Sequence, residues 1–496
     1  MATIWVLGDQ LNAAIGALAA ADPARDTVLM VESAHKIVSR PWHRQRLHFY
    51  LSSMRHFAAD LRTAGWRVDY RHAPTMGAGL RAHVAEHSPE RVVATEPNSV
   101  AARAMFERLG VETVASDQFL TPVADFAAWA ATRKQLKMED FYRRQRVRLG
   151  YLMDGDAPVG GQWNYDHENR EPPPKKGPWP WPAPPVSPLD AIDAEVIAAL
   201  PADSTGDAPT GTWAVTRAQA LERLDHFVSN VLPMFGPHED AMLAGNWHLA
   251  HSMLSPCLNN GLLLPGEVCD AVQRAFDAGR VPIASAEGFI RQVIGWREYV
   301  RGLYWLWMPE YAHLNELGAT RPLPPVFRDS SRTEMACMKW CVGEVESRAW
   351  THHIPRLMVM GNLALIAGVD PGEMTEWMWE SFVDGAEWVM VPNVVGMSLH
   401  ADGGRMATKP YAAGGAYIDR MGDFCKGCRY DRKARTGDDA CPFTTLYWDF
   451  LLRHGERFAR NPRMGTQVRA AQKLSDADAV RQRAAGVLQM LDSGRL

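Results

Sequence analysis

Three cysteines near the C-terminal end could hold a metal. Cys425-Lys426-Gly427-Cys428 is a C-x2-C pair, and after twelve intervening residues comes Cys441-Pro442. Closely spaced thiols on a turn can bind one metal centre, and a Cys-Pro dipeptide also closes bacterial cluster-binding runs. A fourth ligand has to be remote: Cys337, Cys341, Cys257 or Cys269. Zinc uses the same C-x2-C grammar, so spacing leaves zinc, an iron-sulfur cluster and unmetallated thiols open. Cys257 and Cys269 sit in apolar helical contexts and read as buried hydrophobes. The adjacent His352 and His353, followed by Arg356, form a second constellation. A lone His pair on a helix is ordinarily structural.

The elements that position these groups differ between the two halves of the chain. Its 496 residues are roughly three times the ~150-residue domain prior, so two or three domains are expected. β-rich runs at 3–7, 27–32, 67–72, 91–95 and 111–115 alternate with amphipathic stretches. Leu47, Tyr50, Leu51, Met54, Phe57, Ala58 and Leu61 mark one helical face. This rhythm implies a parallel α/β sheet with right-handed crossovers over residues 1–130, with a ligand at the strand ends. Gly8-Asp9-Gln10 follows the first strand where a nicotinamide-type clamp would need G-x-G-x-x-G. Residues 131–220 begin with a basic helical stretch and continue through Pro172, Pro173, Pro174, Lys175 and Lys176 into a Trp/Pro run ending at Pro188. They read as a semi-extended inter-domain linker. Helical periodicity then dominates 221–496.

Apolar residues are 47% and charged ones 22%, which excludes wholesale disorder and fibrous classes. The net charge is −4, so nucleic-acid contact requires a local patch. One candidate is the segment 400–473, with 14 Lys/Arg against 8 Asp/Glu. A solvated helical surface is its ordinary reading, and a phosphate-backbone footprint the sharper one. With no apolar run of membrane-spanning length and no signal-like start, a cytoplasmic location is expected.

Several motifs in order carry a resemblance: Gly8-Asp9-Gln10-Leu11, Met54-Arg55-His56-Phe57, Gly161-Gln162-Trp163-Asn164, Ser252-Met253-Leu254-Ser255-Pro256, His352-His353 and Tyr447-Trp448-Asp449-Phe450. The chain resembles the photolyase/cryptochrome family, and more closely its bacterial iron-sulfur branch, the prokaryotic (6-4) photolyases. The resemblance implies an N-terminal Rossmann-like antenna domain and an all-α domain holding a U-shaped FAD. It implies repair of (6-4) photoproducts in single- or double-stranded UV-damaged DNA by light-driven electron transfer, in a monomeric protein. A cryptochrome-like photoreceptor without repair is the alternative. By the same resemblance, Ser252, Leu254 and Ser255 match the FAD phosphate turn. Gln292, Arg297, Asn362, Met390 and Asn393 line the flavin pocket, and Arg356 and Asp384 pair beside the ring. His352, His353 and Tyr411 face the lesion, Trp377 is the flavin-proximal electron carrier, and Arg405 and Lys409 hold DNA phosphates. The cluster is implied to be 4Fe-4S on Cys337, Cys425, Cys428 and Cys441, leaving Cys341 a spare thiol. An antenna, 6,7-dimethyl-8-ribityllumazine or another chromophore, would lie against Gly8, Asp9, Gln10 and Glu32, an empty pocket being the equal alternative.

The sequence also departs from that pattern. Met390 stands where the branch places Glu, facing flavin N5, and a thioether offers no strong hydrogen bond there. Asp329 replaces a surface-end tryptophan, so electrons would have to leave through Trp379, Trp340 or Trp350. Lys36 and Ser39 occupy the antenna positions of an acid and an aromatic. Pro355 is expected to remove a backbone donor and kink the helix of the histidine pair.

Overall fold

The computed structural model describes every residue except Lys176 and Pro178, so this part of the proline-rich stretch lies outside the described residues. Five strands, β1 (Ala2–Trp5), β2 (Thr27–Ser33), β3 (Arg67–Ala73), β4 (Arg91–Thr95) and β5 (Glu112–Val114), form one parallel sheet in the order β3-β2-β1-β4-β5. Helices Arg44–Thr63, Met76–His87 and Val100–Leu109 make the crossovers. All seven residues of β2 are buried, as a strand covered on both faces requires. Alternate side chains divide between two cores. Trp5, Leu29 and Val31 pack with Leu80 and Phe106 on one face, whereas Ile4, Val28 and Met30 meet Met54, Phe57 and Leu61 on the other.

That second core continues without a break into the helical half. Residues 131–220 contribute more than an extended strap. Helix Met138–Leu149 inserts Phe141 and Tyr142 into the shared core, and helix Ala191–Ala198 lies on the N-terminal domain's helix Arg44–Thr63. Arg146, in the basic stretch, is fully buried and donates to the carbonyls of Leu152 and Trp163. At the junction Leu11 N donates to Asn260 O at 2.8 Å and Asn12 Nδ2 to Gly261 O at 2.9 Å. Gly261 has φ +91°, and a Cβ there would lie 2.9 Å from Leu11 N, so the approach of the two halves demands glycine.

The expected helix around residue 290 is one turn-rich continuous rod: Ile283–Ile290, wider π-type turns over Arg291–Arg297, then Glu298–Trp307. From Pro355 to Gly361 the turns of the helix of the histidine pair are of the wider π type. The helix starts at His353, so Pro355 falls in the first turn, where backbone N–H groups have no helical acceptor to lose.

Candidate active site and metal centre

The helical half converges on Arg356 and Asp384. The guanidinium grips the carboxylate with two bonds, Nη1–Oδ1 at 2.8 Å and Nη2–Oδ2 at 3.1 Å, and its Nε donates to Thr351 O at 2.7 Å. Ser255 Oγ donates to Asp384 Oδ2 at 2.7 Å, and Asn259 Nδ2 to Asp384 O at 2.9 Å. The ion pair therefore ties the helix that opens at Ser255 to the helix that carries Arg356. Just before it, Met253 takes φ +56°, turning the chain sharply between Ser252 and Leu254, and Ser252 Oγ accepts Leu254 N at 3.4 Å. Arg356 also lies 4.2 Å from the Phe382 ring centroid, and Phe382 packs on the buried Trp377 at 5.8 Å.

The other expected flavin-side residues have varied employment. Met390 is buried, and Asn393 Nδ2 donates back to Val389 O at 2.9 Å. Asn362 holds Ala413 by two bonds, Nδ2 to its carbonyl at 2.8 Å and Oδ1 from its N–H at 3.0 Å, fixing the chain just after Tyr411. Gln292 Nε2 donates to Glu239 Oε1 at 3.0 Å. Burial raises the Glu239 carboxyl to about 8. Arg297 is engaged at the domain junction: it pairs with Glu298, donates to Leu258 O at 3.1 Å and lies 4.1 Å from the Phe119 ring centroid.

His352 is 2% exposed and stacks on His251 at 4.1 Å with an interplanar angle of 17°. Two imidazolium rings would repel in that geometry, and burial holds His352 well below and His251 at about 3, both far from ordinary histidine. His251 carries no motif signal of its own and reaches this site only through the fold. Both nitrogens of His352, Nε2 of His251, Thr351 Oγ1 and Ser398 Oγ are buried without a protein hydrogen-bond partner. His353 is exposed. The protein around it, then the Arg356 cation, pull it down to about 4, and solvent at the exposed ring moderates that pull.

Tyr411 is half-buried, with Lys409 Nζ 6.0 Å from its ring centroid. Arg405 is exposed. Arg170 and Arg463 bear on both Lys409 and Tyr411 and extend the basic rim beyond the expected residues. Several cations of 400–473 are paired with carboxylates, and three of those carboxylates, Glu334, Asp476 and Glu316, come from outside the segment. Arg429 pairs with Glu334, Arg432 with Asp419, Arg435 with Asp476, Arg453 with Asp449 and Arg457 with Glu316. Fewer of these cations are free to meet an external phosphate than the count implies.

Cys337, Cys425, Cys428 and Cys441 line one small apolar cavity with Met335, Ile418 and Phe424, and Cys341 is not in its wall. Burial raises the thiols of Cys337, Cys425 and Cys441. Cys441 stands at the N-cap position of the helix Pro442–Arg453, and the first amides of that helix only partly offset the rise that burial imposes on its thiol. Among the described residues no three of these sulfurs fall within 4.8 Å of one another. Sulfurs around one tetrahedral zinc stand about 3.8 Å apart, from a Zn–S bond of about 2.3 Å. Four thiols converging on one apolar cavity are a donor set that a metal or iron-sulfur centre could use.

In the N-terminal domain the chain order reverses between β1 and β4, and Gly8-Asp9-Gln10 lies at that crevice. Gln10 Nε2 donates to Glu96 O at 2.7 Å, and Asn98 Nδ2 to Asp9 Oδ2 at 3.2 Å. Burial raises Asp9 against the lowering influence of Lys36. Glu32 is committed within the sheet: Arg55 grips it at 2.7 and 3.1 Å, and Tyr70 donates to the same carboxylate. Asp329, for its part, caps the turn Ser330–Arg332. Of the tryptophans offered as substitutes, Trp350 packs on Trp247 at 5.7 Å and Trp213 at 6.2 Å. Trp379 packs on Trp42 at 6.2 Å, and Trp340 on Phe424 at 5.2 Å beside Cys425.

Comparison with known proteins gives one direction throughout. Residues 4–210 match the family model of deoxyribodipyrimidine photo-lyase-related proteins. Over 99% of both chains, this protein is 41% identical to a (6-4) photolyase of Agrobacterium fabrum (strain C58 / ATCC 33970). Its fold is similar to a bacterial class III photolyase from Agrobacterium tumefaciens, with a TM-score of 0.56 at 16% identity, covering 99% of this chain and 98% of that one. It is also similar to an archaeal photolyase from Sulfolobus tokodaii, solved with two FAD molecules, with a TM-score of 0.52 at 14% identity over 99% of this chain and 100% of the other. A parallel-sheet domain joined to a helical one, together with full-length identity at this level, places the chain in the family of deoxyribodipyrimidine photolyase-related proteins.

Proposed function

We propose that this chain repairs UV-induced (6-4) pyrimidine photoproducts in DNA with light energy collected by reduced FAD, and that its cysteine cavity holds a 4Fe-4S cluster. The observation that carries the reading is the histidine pair standing next to the Arg356–Asp384 ion pair in a chain related end to end to a (6-4) photolyase. The buried polar atoms left without protein partners on His251, His352, Thr351 and Ser398 suit a large polar cofactor. When bound, the flavin supplies an electron to the cross-linked bases and takes it back.

The chain's own residues supply position and protons. Arg356 presents a fixed positive charge, oriented by Asp384 and Thr351, where negative charge accumulates. His353 has a low proton affinity at rest beside Arg356, so the lesion's phosphates must raise that affinity before the ring can donate a proton. A damaged base pair is cheap to extrude from the duplex; in this reading Arg405 and Lys409, with Arg463 near Lys409 and Tyr411, hold flanking phosphates. The cluster's role is structural in this reading: Cys337 comes from the helix Ala336–Arg348 and the other ligands from the loop and helix beyond 424.

The test is repair of an oligonucleotide carrying one (6-4) lesion by reduced protein under blue light. His353→Ala should abolish repair while retaining flavin. Wild-type protein that binds flavin but repairs nothing would reject the reading, and would favour the photoreceptor alternative to which Met390 points.

A further inference from the structure

Away from these sites, the helix Arg44–Thr63 carries His48, Ser52 and His56 at four-residue intervals, on one face, and the linker helix Ala191–Ala198 covers that face. Asp193, 2% exposed, receives His48 Nε2 at 2.9 Å and Ser52 Oγ on one carboxylate oxygen, and Asp190 N at 3.0 Å on the other. Asp190 Oδ1 in turn accepts Asp193 N at 3.0 Å. Both carboxylates are thus fixed in direction. His56 is 9% exposed, and its Nε2 is buried with no hydrogen-bond partner. That nitrogen is 3.6 Å from Asp190 Oδ1 and 3.9 Å from Asp193 Oδ1, and one ligand atom from each of the three residues lies within 4.8 Å of the others.

Separations of 3.6 and 3.9 Å are too long for hydrogen bonds. They are close to the edge of a metal-centred tetrahedron, about 3.4 Å for ligands at about 2.1 Å. We propose that His56, Asp190 and Asp193 bind a divalent transition cation of the zinc type, with water completing the shell, and that the cation clasps the linker to the N-terminal domain. One imidazole with two carboxylates suits zinc better than magnesium or calcium, which take oxygen ligands. His48 and Ser52 are the outer partners that hold Asp193 in its ligating orientation. The first turn of the linker helix opposes a cation, and the two carboxylates outweigh it. A second cluster, Asp69, His83 and His87, lacks this vacancy. Arg71 Nε is 2.6 Å from Asp69, and both His83 nitrogens are engaged, by Asp69 at 2.6 Å and Thr3 at 2.7 Å.

The test needs no repair assay and stands apart from the function proposed above. Full-length protein with its cofactors, stripped of loose metal with a chelator, is titrated with zinc sulfate by calorimetry and analysed for bound zinc and iron. Wild type should take up one zinc equivalent, with a rise in Tm. Asp190→Asn keeps the helix cap on a half-exposed residue, so it should fold normally yet bind zinc about 100-fold more weakly or worse, beyond the 10–100-fold of an outer-shell change. His56→Gln should behave alike, and both should retain the iron content of wild type. Cobalt in the same site should lack the near-ultraviolet sulfur-to-metal band of a thiolate site. Equal zinc uptake by wild type and Asp190→Asn, or cobalt spectra showing thiolate ligation, would overturn the proposal.

Discussion

The stacked pair His251 and His352 makes the fold acid-labile within a calculable window. Burial holds both rings neutral, His251 to about 3 and His352 also far below ordinary histidine. Unfolded, each titrates near pH 6.5. Below that pH the unfolded chain binds protons that the folded chain refuses, so stability is complete above about 6.5 and falls as pH drops toward the folded values. At about pH 5 the unfolded state has gained about 1.5 pH units at 1.36 kcal/mol each, or about 2 kcal/mol per ring. This figure does not depend on how low the folded values lie, provided they are below 5. For both rings the loss is about 4 kcal/mol, a large share of the 5–15 typical of a folded domain. His251→Phe keeps an aromatic face against His352 and removes one titration. Urea unfolding followed by tryptophan fluorescence at about pH 7.5 and about pH 5 should show the variant losing about 2 kcal/mol less than wild type on acidification. Equal losses in the two proteins would refute the reasoning.

Two further outcomes follow from the site geometry. Cys337→Ser should abolish the broad visible absorption of a cluster and lower the iron content, whereas Cys341→Ser, one helical turn away but outside the cavity wall, should leave both intact. Arg405→Ala and Lys409→Ala should each weaken binding to lesion-bearing and undamaged DNA alike and reduce the slope of log K against log salt by about 1; Arg429→Ala, at a residue already paired with Glu334, should change neither.

Periodicity and motif order determined much of this protein in advance. The five strands lie within a few residues of the β-rich runs read from the sequence, and β2, covered on both faces, is buried along its whole length. The four cysteines that share a cavity are those that the family resemblance implied. Charge was less legible. A count of 14 basic residues cannot show that Glu334, Asp476 and Glu316, remote in sequence, fold back to neutralise three of them. Nor does sequence reveal that Arg146 is an internal hydrogen-bond hub rather than a surface cation, or that Glu32 is claimed by Arg55 and Tyr70. What Pro355 does depends on where its helix begins, and the start at His353 was not visible in the local sequence. The same limit hid His251 and the cluster of His56 with Asp190 and Asp193. Their members are separated by 101 and by more than 130 residues, and only the closing of one helix on another brings such groups within reach. Local pattern fixes which elements form; the pairing of charges and imidazoles across them is a property of the packed whole.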